Sequence, residues 1–115
     1  MKLLGIGVDV VQNKRIKKLL KNKNFINRTF GKNEIKISKK NSDKTNYFAK
    51  RFSAKEALVK AIGTGFRNNL NFKDIEILND KLGKPYYIKS NKINKIVKSR
   101  FNIKKFDLFL SISDE

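Results

Sequence analysis

The stretch Arg51–Gly65, "RFSAKEALVKAIGTG", decides how the chain is read. It holds no Pro and no Gly before Gly63, so it predicts a helix that stops at Gly63-Thr64-Gly65. Extended back to about Asn46, the helix places Phe48, Phe52, Glu56 and Lys60 at steps of four on one stripe. Two phenylalanines ask for burial, yet the second half of the stripe carries a carboxylate and an ammonium. One reading is a solvated ion pair, since Glu56 and Lys60 have the favourable i, i+4 order, contributing about 0.3–0.5 kcal/mol. The other is a ligand face. Glu56 with a second carboxylate offers hard oxygens to Mg²⁺, Lys60 one turn on meets a phosphate, and small Ser53 and Gly63 permit a close approach. Gly63-Thr64-Gly65 is then either a helix cap followed by a turn, or a source of backbone N–H groups for an anion.

A separate carboxylate stands upstream, in "GIGVDVV", Gly5–Val11. Lys2–Val11 is a nearly continuous apolar run and predicts a strand covered on both faces. Asp9 interrupts that run too early for a signal peptide, and no small-residue cleavage site follows. A carboxylate there is either a surface acid or is held by a hydrogen bond, an ion pair or a metal. Gly5-x-Gly7 lacks the third glycine of a dinucleotide fingerprint and sits inside the strand, so that reading is rejected.

Between these two stretches, Asn13 caps a short helix on Ile16, Leu19 and Leu20, a connector holds Phe25, Ile26 and Phe30, and "KNEIKISKK" is a short helix. "KNSDKT" supplies the cap of the main helix. After Gly65 comes a loop, "FRNNLNF", and then "FKDIEIL" and "PYYIKS", which form a hairpin around "NDKLGK". "NKINKIVKSRF" is an amphipathic helix on Ile93, Ile96, Val97 and Phe101, and "FDLFLSIS" is a last strand. The order β-α-α-α-β-β-α-β defines an α+β domain, with a small antiparallel-rich sheet packed against the long central helix.

A chain of 115 residues has room for one core. It has no Cys and no His, which excludes disulfides, zinc–thiolate sites and the commonest general base, and leaves any metal to oxygen ligands. No stretch is long enough to span a membrane, and a cytoplasmic protein is expected. The net charge is +18, from 28 basic and 10 acidic residues. It welcomes an anionic partner, although Lys spread along an Asn-rich chain is also what A-rich coding produces.

Taken together, "GIGVDVVQNKRI", "FAKRFSAKEALVKAIGTG", "FKDIEILND" followed by "GKPY", and "LSIS", in that order, resemble the holo-[acyl-carrier-protein] synthases, which are small phosphopantetheinyl transferases. The resemblance implies transfer of the 4′-phosphopantetheine arm of coenzyme A to a serine of apo acyl carrier protein, releasing adenosine 3′,5′-bisphosphate. It implies Mg²⁺ held by Asp9 and Glu56, with Lys60 near the phosphates. Glu56, directly or through a metal-bound water, takes the serine proton. Gly63, Thr64, Gly65, Lys84, Pro85 and Ser113 match segments that surround the coenzyme. Lys14, Arg15, Lys18 and Arg28 match the surface that docks the acidic carrier protein, by a salt-sensitive attraction screened over about 8 Å at physiological ionic strength. The family is trimeric, with sites between subunits.

Two positions depart from the family pattern. Gln12 stands where an acid is usual, and Asp114 where the closing motif has His; the strand that follows that motif is also missing. A family member that binds coenzyme A or carrier protein without turnover is the first alternative, separated by whether pantetheine is transferred. A small basic RNA-binding module is the second, and requires stacking aromatics on a basic face.

Overall fold

The computed structural model describes residues 2–65 and 70–113. Its elements are α1 (Asn13–Leu19), α2 (Lys23–Thr29), α3 (Lys32–Ser38), α4 (Lys44–Ile62), a 3₁₀ turn (Phe72–Asp74), β1 (Ile77–Asn79), β2 (Pro85–Tyr87) and α5 (Asn91–Phe101). The loop expected at 66–69 and the departure at Asp114 lie outside the described residues.

The central helix, α4, begins where its capping chemistry says it should. The Asp43 carboxylate accepts the Asn46 N–H at 3.0 Å, and Gly63, at φ 84°, turns the chain out of the helix in a conformation that favours glycine. The first half of α4 buries Tyr47, Phe48 and Phe52 against Ile16 of α1 and Phe25 and Phe30 around α2. The second half buries Leu58, Val59 and Ile62 against Ile75, Ile77 and the Ile93, Ile96 and Val97 face of α5. The amphipathic reading of α5 and the burial of the Phe48–Phe52 half of the stripe both hold.

Capping differs at α1: Gln12 precedes the helix without a side-chain cap, and Asn13 is its first residue. The connector holding Phe25 is a full helix, capped by Asn22. The hairpin is present, with Ile77 opposite Tyr87 and Asn79 opposite Pro85 in an antiparallel register, but it is shorter than expected. The Asp74 carboxylate accepts the Asn71 N–H at 2.8 Å and the Lys92 ammonium at 3.0 Å, and this closes Phe72–Asp74 into a turn where a strand was expected.

The larger correction concerns the two ends. Neither Lys2–Val11 nor Phe106–Ser113 belongs to a ladder among the described residues; both are non-helical segments outside the two-stranded sheet. Lys2–Val11 is also not covered on both faces, because Leu3, Ile6, Val8 and Val10 are exposed. The two segments border a cavity of about 1480 Å³ that α4 floors with Ser53, Ala57 and Ala61. Apolarity in a strand-like segment predicts that something covers it; it does not say which chain supplies the cover.

The structure gives Gly5 and Gly7 a reason. A Cβ on Gly5 would lie 2.1 Å from the Ala61 carbonyl oxygen, and one on Gly7 would lie 1.7 Å from that of Ala57. Two residues of extended chain advance about 6.6 Å and four residues of helix about 6 Å, so Gly5 over Ala61 and Gly7 over Ala57 keep step. The next pair in the series is Asp9 with Ser53, whose hydroxyl donates to the Asp9 carbonyl at 3.0 Å. The glycines let the backbone lie directly on the helix, and that contact delivers Asp9 to the α4 stripe.

Candidate active site

Asp9 arrives from the N-terminal segment, Glu56 and Lys60 from successive turns of α4. The Lys60 ammonium donates to Asp9 Oδ1 at 2.9 Å and to the Val8 carbonyl at 3.1 Å. The Asp9 side chain is 15 % exposed and that of Lys60 53 % exposed, so the pair sits at the rim of the cleft. Glu56 is half-buried. Burial pushes its carboxyl above the usual value and the neighbouring Asp9 carboxylate pushes it further, while Lys60 and Arg15 act in the opposite direction. The three residues singled out for chemistry therefore share one electrostatic site.

The donor set suits Mg²⁺. It consists of carboxylate oxygens from two separate elements, whose mutual repulsion a cation relieves. Among the described residues no group of three or more His, Cys, Asp and Glu gathers, here or at any other place, so the site offers two acids. Mg²⁺ is commonly held by one or two carboxylates with substrate phosphates and water completing its shell, so a two-acid site fits that ion.

The remaining expected residues are dispersed. Gly63 and Gly65 both have positive φ, 84° and 64°, with Thr64 between them, so this turn follows α4 just beyond Lys60. Lys84 and Pro85 lie at the hairpin, where Gly83 has φ 89° and the Asp80 carboxylate accepts the Lys84 N–H at 2.8 Å. Ser113 and Lys14 line the large cavity, together with Asp9. Lys14, Arg15 and Lys18 stand exposed on α1 around buried Ile16, and Arg28 is exposed on α2. The Arg15 guanidinium rests 5.9 Å from the Phe52 ring centre and that of Arg28 lies 6.0 Å from the ring centre of Phe25.

Two residues of weight were missed. Lys55 is fully buried beside Glu56 in sequence, paired at 2.6 Å with the equally buried Glu34. Arg51, one turn earlier, is also buried; its guanidinium lies 3.7 Å from the Tyr47 ring centre and donates to Asn79. The available signal was the stripe Tyr47, Arg51, Lys55 at steps of four, beside the aromatic one.

A small α+β domain with two acids and a lysine brought onto one long helix defines a class, and sequence comparison agrees with it. The profile of the 4′-phosphopantetheinyl transferase superfamily matches residues 5–108, and the chain belongs to that family. Within it, the chain is 63% identical over 115 residues, 100% of its own length and 90% of the other's, to the holo-[acyl-carrier-protein] synthase of Pelagibacter ubique. The crystal structure of holo-[acyl-carrier-protein] synthase from Neisseria meningitidis superposes with a TM-score of 0.88 at 38% identity, covering 99% of this chain and 90% of that one. The Helicobacter pylori holo-[acyl-carrier-protein] synthase, in complex with coenzyme A, superposes with a TM-score of 0.70 at 31% identity, covering 83% and 79%.

Proposed function

We propose that the chain transfers 4′-phosphopantetheine from coenzyme A to a serine of apo acyl carrier protein at the site built from Asp9, Glu56 and Lys60. The observation that carries the reading is the convergence of Asp9 on the α4 stripe, with the Lys60 ammonium 2.9 Å from its carboxylate. Asp9 and Glu56 would hold Mg²⁺, which when bound would supply positive charge against the diphosphate and the leaving phosphate. The serine oxygen forms a bond to the phosphorus that carries pantetheine, and the bond from that phosphorus to the bridging oxygen breaks, releasing adenosine 3′,5′-bisphosphate. Glu56 accepts the serine proton. With no His in the chain, a carboxylate is the available side-chain base at neutral pH. Lys60 stabilises the leaving phosphate.

The carrier protein docks on the exposed cations Lys14, Arg15 and Lys18 of α1 and Arg28 of α2. Mass spectrometry of apo acyl carrier protein mixed with the chain, coenzyme A and Mg²⁺ is expected to show the phosphopantetheine adduct. Arg15→Glu should raise the KM for carrier protein severalfold, with the KM for coenzyme A unchanged. Absence of an adduct from folded protein overturns the reading in favour of a binding-only member. An RNA-binding role is disfavoured because Phe25, Phe30, Phe48 and Phe52 lie in the core rather than on a stacking face.

The site is completed between subunits of a homotrimer. Leu3, Ile6, Val8, Val10 and Phe109 are exposed on terminal segments that lie outside the ladder, a surface suited to burial by another copy. The hairpin residues Lys84 and Pro85 and the turn Gly63–Gly65 then reach coenzyme A from neighbouring subunits. Light scattering is expected to give three chain masses, and Val10→Asp with Phe109→Asp to give monomer; a monomeric unsubstituted chain overturns the assembly.

A further inference from the structure

The Lys60 ammonium is engaged by the protein itself. It spends two of three donors, one on Asp9 Oδ1 at 2.9 Å and one on the Val8 carbonyl at 3.1 Å. The Asp9 carboxylate is therefore paired with a cation carried by the protein. The same carboxylate is the one assigned to the metal, and the same ammonium the one assigned to the phosphates. A bond from this ammonium to a phosphate in place of the one to Asp9 would leave that carboxylate free for a cation. The Lys60 side chain is 53 % exposed and loses little by leaving, whereas the Asp9 side chain, 15 % exposed, needs another cation in its place.

We infer that Lys60 is a built-in counter-cation of the unloaded site, which holds Asp9 until a divalent cation takes that carboxylate and frees the ammonium for the coenzyme's diphosphate. This rests on Asp9 and Glu56 being the metal ligands. Two consequences follow from linkage. The ammonium competes with the metal while coenzyme is absent, and supports it once the ammonium has moved to the phosphates. Metal and coenzyme then bind with positive coupling, each raising the affinity for the other by the same factor. A fixed structural clip between α4 and the N-terminal segment would also oppose the metal, but its ammonium would keep its bonds to Asp9 and Val8 when Mg²⁺ binds.

The test is Mn²⁺ binding to the full chain, followed by its paramagnetic resonance signal, without and then with saturating coenzyme A. Without coenzyme, Lys60→Met is expected to bind Mn²⁺ tighter than the unsubstituted chain by up to about fivefold, the scale of releasing one rim ion pair. With coenzyme, that advantage should vanish or reverse. Asp9→Asn should weaken Mn²⁺ in both conditions. If Lys60→Met binds no tighter while Asp9→Asn binds more weakly, the counter-cation inference falls and the metal site stands. If Asp9→Asn binds as tightly as the unsubstituted chain, the assignment of the metal ligands falls and takes the inference with it. A readout needing no substitution is the ¹⁵N resonance of the Lys60 ammonium: Mg²⁺ alone should move it toward the position of a free lysine, and an unmoved signal under Mg²⁺ saturation overturns the exchange.

Discussion

Lys55→Met is expected to lower the unfolding free energy by about 3–5 kcal/mol, as removal of one member of a buried ion pair does. Both Lys55 and Glu34 are fully buried, 2.6 Å apart. The ammonium also donates to the carbonyls of Phe72, at 3.1 Å, and Ile75, so it ties α4 to the turn before β1. The Glu34 carboxylate collects the N–H groups of Gly31 at 2.9 Å and Ile77 at 3.0 Å, tying the start of α3 to β1. Methionine fits the stem but leaves that carboxylate charged, out of water and held only by two neutral donors. For a domain of this size the loss is a large fraction of the total stability. Burial lowers the Lys55 pKa and the Glu34 carboxylate opposes the shift. Glu34→Gln in the Lys55→Met background removes the stranded charge and keeps an acceptor for the two N–H groups. The double variant should therefore lose less than the two single losses added together, by about 0.5–3 kcal/mol. Urea unfolding of the four proteins measures this; strictly additive losses would show that the pair is not a coupled unit.

That pair also marks where the sequence stops being legible. Glu56 and Lys60 stood out because they share a stripe with two phenylalanines, and a helix converts steps of four into one face. Lys55 lies off that stripe, in a chain with 28 basic residues, and its partner Glu34 is 21 residues away. The stripe Tyr47, Arg51, Lys55 places that lysine beside the aromatic face, but nothing local names the carboxylate it will meet. Gly5 and Gly7 were rejected as a phosphate loop for sound reasons, but their purpose needed Ala57 and Ala61, which become adjacent only when the segment lies on α4. The terminal segments fail differently. Their apolarity reads as strand, and the chain runs through them without helix, but neither joins a ladder among the described residues. Periodicity reports the local conformation and the demand for cover. It is silent on who answers the demand.

Glu56→Gln is expected to cut pantetheine transfer by between about 10²- and 10⁴-fold, the range for losing a positioned proton acceptor, with loss of metal affinity adding to it. The same substitution should stabilise the metal-free protein at neutral pH. Burial, then the Asp9 carboxylate, raise the Glu56 pKa above its ordinary 4.5, so the folded state holds this proton more tightly than the unfolded chain does. A group of that kind adds stability below its unfolded pKa, and the contribution disappears as pH rises through the folded one. At neutral pH the ionised carboxylate therefore opposes folding, and glutamine removes the opposition. In the presence of chelator, the melting temperature of Glu56→Gln should exceed that of the unsubstituted chain at pH 7, and the two should converge below about pH 4.5, where the unsubstituted carboxyl is itself neutral. Adding Mg²⁺ should reverse the order at pH 7, because only the unsubstituted site gains a ligand that binds the folded state alone. Loss of transfer with no gain in stability would mean that Glu56 feels no strain from Asp9. A gain in stability with transfer intact would remove Glu56 from the chemistry. The expected combination, a weaker enzyme that is a firmer protein until metal is supplied, follows from two like charges that the fold holds together for a cation.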